Sequence, residues 1–160
     1  MGEPALVRID DRLIHGQVMA VWSKSLGTRE IVIAADDVAQ DPFMQKVMKG
    51  AAPPGVAVKV FTVAEAAGYL SQAPDLSRTI VLLKSPHTAR QLYDLGFRYQ
   101  HLNVGGIGAG PGRRKVYRSI SASPEEMDIL KGLAAAGVQV HFRIVADDRG
   151  ASLESLTGIR

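Results

Sequence analysis

The sequence predicts an α/β protein: a single domain over residues 1–160 with a doubly wound, mostly parallel sheet and helices on both faces. Short apolar runs rich in branched side chains recur along the chain, and such runs are typical of buried strands. Segments with helical spacing or helix-capping signals stand between them. The length of 160 residues suits one domain, and 46% hydrophobic residues are enough to fill one core.

The predicted strands are spread over the whole chain. They cover residues 5–9, 30–34, 56–61, 79–83, 101–105 and 138–145, and a further short strand is expected within 117–121. Because helices of about 10 to 13 residues fit between these runs, the chain is expected to form βαβ units with parallel strands and right-handed crossovers.

Helix boundaries are marked by local signals. Apolar residues within 18–26 follow helical spacing, and Gly27 stands where a glycine commonly ends a helix. A capping box, in which serine or threonine is followed three residues later by glutamate, occurs at 62–65 and at 123–126. These signals predict one helix end and two helix starts.

Composition excludes several classes of site. The chain has no cysteine, so disulfides, thiolate metal sites and cysteine nucleophiles are excluded. The four histidines share no metal-ligand spacing, and we expect neither a metal nor a cofactor. A net charge of +3 is too small to indicate nucleic-acid binding. Because the chain begins without a signal-peptide pattern and no run approaches the roughly 18 apolar residues of a membrane span, we expect a cytoplasmic protein.

The stretch RIDDRLIHGQV, residues 8–18, is the most informative in the chain. It follows the first predicted strand, at the carboxyl edge where open α/β sheets gather functional groups. Arg8 and Arg12 offer bidentate donors for phosphate or carboxylate, and the start of the next helix offers backbone amides. If the ligand is a phosphoryl group, the neutral imidazole of His15 is a plausible nucleophile.

Two aspartates accompany this histidine. Either Asp10 or Asp11 could hold the His15 ring in one tautomer by accepting a hydrogen bond from its other nitrogen. For the other aspartate we expect a loop turn or a helix cap. The competing interpretation of His15 is a solvated or hydrogen-bonded loop residue without catalytic function.

Polar residues also follow two other predicted strands. Lys84 and Ser85 either form a turn set by Pro86 or supply a second pair of phosphate donors at the same edge of the sheet. Asp36 and Asp37 occupy the place of the ribose-binding acid in dinucleotide enzymes. Since no glycine fingerprint follows the first strand, we expect them to serve in a loop and helix cap.

The glycine cluster NVGGIGAGPG, residues 103–112, has no dinucleotide or phosphate-loop register. We expect a tight, flexible connection in which the glycines permit positive φ angles. Residues 113–115, Arg-Arg-Lys, are expected at a solvated hairpin tip, or alternatively at a docking surface for an acidic partner.

The sequence resembles the enzyme IIB components of the bacterial phosphoenolpyruvate-dependent sugar phosphotransferase system, in the mannose/fructose/sorbose family. The resemblance spans nearly the whole chain. It rests on LVRIDDRLIHGQV (6–18), AAPPGV (51–56), LLKSP (82–86), NVGG (103–106) and the final helix-strand unit. Residues 107–119 and 146–160 depart from the family pattern.

The resemblance implies that His15 accepts a phosphoryl group from a IIA partner protein and passes it to a sugar during import through the membrane IIC and IID components. It implies that Arg12 stabilises the transferring group and that Arg8, Asp10 and Gln17 shape the loop. It also implies a doubly wound sheet, association in pairs, and a peripheral place beside the membrane permease.

Two other functions stay open from the sequence. A nucleotide-binding α/β enzyme would need a glycine turn after the first strand, where this chain has DDRLIH. A regulatory or binding module of the same fold would keep the loop and transport nothing.

Overall fold

The computed structural model describes residues 3–158, which contain nine strands and seven helices. The strands are β1 (Leu6–Asp10), β2 (Glu30–Ala34), β3 (Ala57–Phe61), β4 (Thr79–Leu83), β5 (His101–Gly106), β6 (Arg114–Tyr117), β7 (Ile120–Ala122), β8 (Gln139–Phe142) and β9 (Ala151–Ser152). The helices are α1 (Gly16–Leu26), α2 (Asp36–Ala39), α3 (Pro42–Gly50), α4 (Val63–Gln72), α5 (Pro86–Asp94), α6 (Pro124–Ala135) and α7 (Leu153–Thr157).

Seven strands form one sheet in the order β3-β2-β4-β1-β5-β8-β9, and β6 pairs with β7 in a separate hairpin. All neighbours in the large sheet are parallel except β8 and β9. The predicted mostly parallel, doubly wound α/β fold is confirmed. From β1 the chain proceeds towards β2 on one side, and from β5 it proceeds towards β8 on the other. The adjacent ends of β1 and β5 are therefore a topological switch point, where open α/β sheets bind ligands.

The sheet separates two hydrophobic cores. Because successive strand residues face opposite sides, Ile31 and Ile33 pack under α1, α2 and α3, while Val32 and Ala34 pack under α4, α5, α6 and α7. All five residues of β4 are buried. Each fully buried aliphatic side chain contributes about 1.5 to 3 kcal/mol, so this central strand anchors both layers.

Most predicted strands are confirmed within one residue of their ends, and two need correction. The strand predicted over 138–145 ends at Phe142, because the carbonyl oxygens of Arg143 and Ile144 accept hydrogen bonds from Arg8 instead of extending the ladder. The single strand expected within 117–121 is a hairpin of two strands. Its turn includes Arg118 with a φ of 48°.

The helix signals are confirmed. Helix α1 ends at Gly27, which has a φ of 61°, a left-handed conformation that glycine adopts without strain. Both capping boxes form, at the starts of α4 and α6. None of the helices within residues 3–158 has the length and apolar character needed to cross a membrane.

Candidate functional site

Two apolar side chains anchor the loop between β1 and α1 in the hydrophobic core. Leu13 and Ile14 are buried in the core beneath α1. Leu13 has a φ of 58° and its amide donates to the carbonyl oxygen of Asp10 over 2.9 Å. A left-handed residue costs about 1 to 2 kcal/mol, which burial of its side chain offsets. The anchors leave the side chains of Arg12 and His15 partly exposed at the surface.

Asp10, at the end of β1, is the centre of the site. Its side chain is fully buried. One carboxylate oxygen, Oδ2, lies 3.1 Å from His15 Nε2 and accepts from Arg8 Nη2 over 3.1 Å. The other, Oδ1, accepts from Arg12 Nε and from the Arg12 backbone amide, each over 3.1 Å. Of the two aspartates considered from the sequence, Asp10 is the one that contacts the histidine.

The charge state of Asp10 determines the tautomer of His15. Burial raises the pKa of Asp10, but the hydrogen bond from Arg12, the charge of Arg8 and the hydrogen bond from His15 together hold it below its ordinary value. The carboxyl group is therefore ionised at neutral pH and can only accept hydrogen bonds. His15 Nε2 must carry the proton in this contact, which leaves the lone pair on Nδ1.

Arg8 supports Asp10 from inside the sheet. Its side chain is fully buried, and its two terminal nitrogens donate to Asp10, to Asn103 Oδ1 over 2.7 Å, and to the carbonyl oxygens of Arg143 and Ile144 over 3.0 and 2.9 Å. Its guanidinium lies 5.4 Å from the centre of the Trp22 ring. Arg8 is thus closed off from any ligand at the surface. The expectation that it offers donors to phosphate needs correction, whereas its position fits a loop-shaping function.

The glycines of NVGG provide space for these two charged side chains. A Cβ atom on Gly105 would lie 2.0 Å from Arg8 Cζ, and one on Gly106 would lie 2.7 Å from Asp10 Oδ1. Both glycines belong to β5, and of residues 103–112 only Gly112 has a positive φ. The expectation of a flexible connection with positive φ angles is wrong for the start of the cluster, because the glycines there are required by the packing of β1 against β5.

This packing predicts that Gly105→Ala lowers the free energy of unfolding by about 3 kcal/mol, since the added methyl group would overlap the fully buried guanidinium of Arg8 and force it to move. Urea unfolding of the variant and the parent measures the effect. Gly68→Ala is the matched control. Gly68 lies in α4, and apart from the backbone of that helix no atom of residues 3–158 lies within 4 Å of the added methyl group, so alanine there is expected to stabilise by up to about 1 kcal/mol. Equal unfolding midpoints for Gly105→Ala and the parent would contradict the assigned role.

The remaining polar residues of this edge have structural partners. Asp11 Oδ2 accepts from the Gly108 amide over 2.8 Å and ties the histidine loop to the segment after β5. Lys84 Nζ forms an ion pair with Asp37 Oδ2 at 2.7 Å, and Ser85 Oγ accepts from the Thr88 amide at the start of α5. Ser85 is the N-cap residue of α5 and Pro86 is its first residue, so the turn expected at Pro86 is the start of a helix.

The other candidates from the sequence also have structural contacts. Asp36 begins α2 and its Oδ1 accepts from the Val63 amide over 2.9 Å. Arg113 forms a bidentate pair with Glu126, both contacts at 3.0 Å, and the next two cations lie in β6. The expected hairpin tip at 113–115 is wrong, since the hairpin turns at residues 118–119. Residues 3–158 contain no cluster of histidine, aspartate and glutamate side chains that could hold a metal ion.

The first turn of α1 completes the site. His15 is the N-cap residue of this 11-residue helix, and its side chain makes no capping hydrogen bond. No acidic residue stands in the first turn, where Gln17 is exposed. The unpaired amides at the helix start can therefore receive an anion beside the imidazole.

Two residues of the site were not identified from the sequence. Asn103 is 7% exposed, accepts from Arg8 and donates through Nδ2 to the Arg143 carbonyl oxygen over 3.0 Å. Trp22 Nε1 donates to the Ile144 carbonyl oxygen over 3.2 Å. The available signal for Asn103 was its place inside the apolar run HLNVGG, since a buried amide in a strand needs polar partners.

Comparison with known proteins identifies the family of this chain. The family model of the PTS system sorbose subfamily IIB component, where PTS denotes the phosphotransferase system, matches residues 4–159. The sorbose-specific EIIB component of Klebsiella pneumoniae is 34% identical over 149 residues, which are 92% of this chain and 91% of that protein. The mannose-specific EIIAB component of Escherichia coli is 33% identical over 144 residues, 89% of this chain and 45% of that longer protein.

A solved structure extends the likeness to the fold. The crystal structure of the IIBSor domain of the sorbose permease from Klebsiella pneumoniae superposes with a TM-score of 0.89 at 32% identity, covering 98% of this chain and 97% of that one. A match of the family model to nearly the entire sequence, with the same fold, settles the family. The chain belongs to the sorbose subfamily of IIB components of the phosphotransferase system.

Proposed function

We propose that this protein is a phosphohistidine carrier: it accepts a phosphoryl group from a IIA partner on Nδ1 of His15 and transfers it to a sugar of the mannose, fructose or sorbose class. The observation that supports this most strongly is the contact between His15 Nε2 and the ionised, buried Asp10. It leaves Nδ1 as the nucleophilic nitrogen, in a partly exposed loop at the start of α1.

In the first transfer the lone pair of His15 Nδ1 attacks phosphorus. The Nδ1–P bond forms while the N–P bond of the donor phosphohistidine breaks, and the electron pair returns to the donor imidazole. Positive charge then develops on the His15 ring. Asp10 lies 3.1 Å from the opposite nitrogen and stabilises that charge without giving up its own ionisation.

Arg12 and the start of α1 are proposed to hold the phosphoryl oxygens. The Arg12 side chain is 52% exposed, and Asp10 fixes one edge of its guanidinium, which restricts the cation to the neighbourhood of His15. Arginine donors and helix N-terminal amides both stabilise the charge spread over a transferring phosphoryl group. Apart from the bond between His15 and phosphorus, the transfer relies on positioning and electrostatics.

In the second transfer a sugar hydroxyl oxygen attacks the same phosphorus atom. The O–P bond forms, the Nδ1–P bond breaks and its electron pair returns to Nδ1, and the hydroxyl proton is released to water. His15 returns to the tautomer that Asp10 holds, so the cycle can repeat without a cofactor.

The proposal includes the partners and the location that the family resemblance implies. Residues 1–160 would act as one domain in the cytoplasm, beside a permease formed by membrane IIC and IID components, and would associate in pairs. A IIA partner is supported by the mannose-specific relative of Escherichia coli, whose name, EIIAB component, joins both components. The exposure of the His15 loop suits transient docking of such a protein.

Phosphoryl uptake from a phosphorylated sorbose-type IIA tests this proposal. We expect rapid uptake by the parent protein and uptake about 100-fold slower by Arg12→Ala, because the variant loses a cation that neutralises the transferring group. The exposed position of Arg12 predicts a change in the free energy of unfolding below about 1 kcal/mol.

Arg29→Ala is the control for this comparison, since Arg29 is exposed at the opposite edge of the sheet, directly before β2. It should match the parent in rate. Equal rates for Arg12→Ala and Arg29→Ala would contradict the role of Arg12 in phosphoryl transfer. Absence of uptake by the parent would contradict the proposed function.

A further inference from the structure

We infer that Asp148 and Tyr117 are positioning residues for His15, acting through the loop between β8 and β9 and through Arg8. The inference rests on the proposed function, because it names residues that prepare the same histidine. We call residues 143–150 the β8–β9 loop.

The first link is between this loop and Arg8. The guanidinium of Arg8 is a planar fork, and two of its four acceptors are the carbonyl oxygens of Arg143 and Ile144 in the β8–β9 loop. One terminal nitrogen, Nη2, donates both to Ile144 and to Asp10 Oδ2, the oxygen that contacts His15 Nε2. Since the fork is rigid, a displaced Ile144 carbonyl would turn the guanidinium and shift the Asp10 carboxylate.

The second link holds the loop in place. Asp148 is 8% exposed, and its carboxylate closes the loop by accepting from the Ile144 amide and from the Gly150 amide, each over 3.0 Å. Its backbone oxygen accepts from Arg143 Nε over 2.7 Å. The two residues whose carbonyl oxygens accept from Arg8 therefore both hydrogen-bond to Asp148 as well. Arg143 does so through its side chain, and Ile144 does so through its backbone amide.

The third link connects Asp148 to the β6–β7 hairpin. The Tyr117 hydroxyl donates to Asp148 Oδ1 over 2.8 Å, and its ring packs against Phe142 with centroids 6.5 Å apart. Burial raises the pKa of Asp148, but the Ile144 amide and the Tyr117 hydroxyl, with further contacts, hold it below its ordinary value. An ionised Asp148 accepts all of these hydrogen bonds at neutral pH.

These links form a continuous series from the hairpin to the nucleophile. Tyr117 orients Asp148, Asp148 fixes the Ile144 amide and carbonyl, and the carbonyl directs Arg8 towards Asp10. Neither Asp148 nor Tyr117 hydrogen-bonds to His15 within the described part of the chain. Both would act only by holding the carboxylate that selects the His15 tautomer.

The test uses two conservative substitutions with matched controls. Asp148→Asn removes the charge of the loop carboxylate, and Tyr117→Phe removes only the hydroxyl. Asp75→Asn is the control for the first, because Asp75 also accepts from a backbone amide two residues on, that of Ser77. Tyr69→Phe is the control for the second, since the Tyr69 hydroxyl donates to the carboxylate of Glu30 at the amino end of β2.

Two measurements are compared across the set. Nitrogen-15 NMR of labelled histidine reports the tautomer of His15 without any phosphoryl donor. Phosphoryl uptake at varied concentrations of phosphorylated IIA separates the maximal rate from the KM for the donor. For Asp148→Asn we expect both neutral tautomers in place of the Nε2–H form, with a maximal rate about tenfold lower and an unchanged KM. Tyr117→Phe should show the same changes to a smaller degree, and both controls should match the parent.

An unchanged His15 tautomer in folded Asp148→Asn would overturn the inference, even if uptake slowed. A raised KM with an unchanged maximal rate would overturn it too, because it would assign the hairpin to docking. If Asp148→Asn fails to fold, the His15 tautomer in Tyr117→Phe decides: an unchanged tautomer there would overturn the inference. Absence of uptake by the parent would overturn the proposed function, and the tautomer comparison would still decide the positioning roles.

Discussion

Replacement of His15 by alanine is expected to abolish phosphoryl uptake from phosphorylated IIA, because the variant lacks the nitrogen that forms the bond to phosphorus. Intact-protein mass after incubation with phosphoenolpyruvate, the general carrier proteins and IIA measures the effect directly. The fold should persist. His15 is partly exposed, and within residues 3–158 its side chain hydrogen-bonds only to Asp10, so the free energy of unfolding should fall by only about 1 kcal/mol.

The other histidines supply controls for this prediction. His87 and His141 lie on the surface, and His87→Ala and His141→Ala should take up one phosphoryl group as the parent does. Labelling of His15→Ala at the parental level would show that the phosphoryl acceptor is elsewhere. Loss of labelling in a surface-histidine variant with an intact His15 would lead to the same conclusion.

Asp10→Asn is expected to have a large effect on the free energy of unfolding. Arg8 is fully buried, and the Asp10 carboxylate is the anion within its hydrogen-bonding reach. Neutralising that carboxylate leaves a buried cation without its counter-charge, which costs about 3 kcal/mol. Phosphoryl uptake should fall as well, because asparagine can present either an oxygen or an amide to His15 Nε2 and no longer selects one tautomer.

The same substitution has a defined pH dependence. The pKa of Asp10 is lowered in the folded protein, so its stabilising contribution is complete above the ordinary carboxyl pKa and is lost as pH falls through the lowered value. The difference in the free energy of unfolding between the parent and Asp10→Asn, measured with urea, should therefore be large at neutral pH and smaller in strong acid.

Asp41→Asn is the matched control for the stability measurement. Asp41 caps α3 through the amides of Phe43 and Met44, without a buried cation, and asparagine is also a good N-cap residue. A stability loss for Asp10→Asn no greater than that for Asp41→Asn would contradict the buried charge pair.

Local signals in the sequence were sufficient for much of the fold. Alternating apolar runs located the strands of the central sheet, and each capping box involves residues only three positions apart, so both were visible without tertiary information. The histidine loop was placed correctly because it follows β1 directly.

The supporting contacts could not be read in this way, because they join residues far apart in the chain. Arg8 lies opposite Asn103, and Asp10 opposite Gly106, only once β1 pairs with β5. An arginine beside a candidate catalytic loop therefore suggested a surface cation, whereas sheet pairing buries it. The glycine pair was misinterpreted for the same reason: the side chains that need the space lie on another strand.

The segment that follows β8 was the hardest to predict from the sequence. The apolar run 138–145 predicted a longer strand, and nothing local marks the two residues whose carbonyl oxygens turn towards Arg8. The Ile144 amide donates to Asp148, and the Asp148 carboxylate also accepts from the hydroxyl of Tyr117, which lies 31 positions before Asp148 in the sequence.

In the proposed mechanism His15 carries the phosphoryl group on Nδ1 while Asp10 binds Nε2–H. Nitrogen-15 and phosphorus-31 NMR of the histidine-labelled protein, after phosphorylation by IIA, tests it most directly. We expect phosphorus coupling to Nδ1 of His15 and a protonated Nε2 on the same ring. Phosphorus coupled to Nε2 of His15, or to a nitrogen of any other histidine, would contradict it.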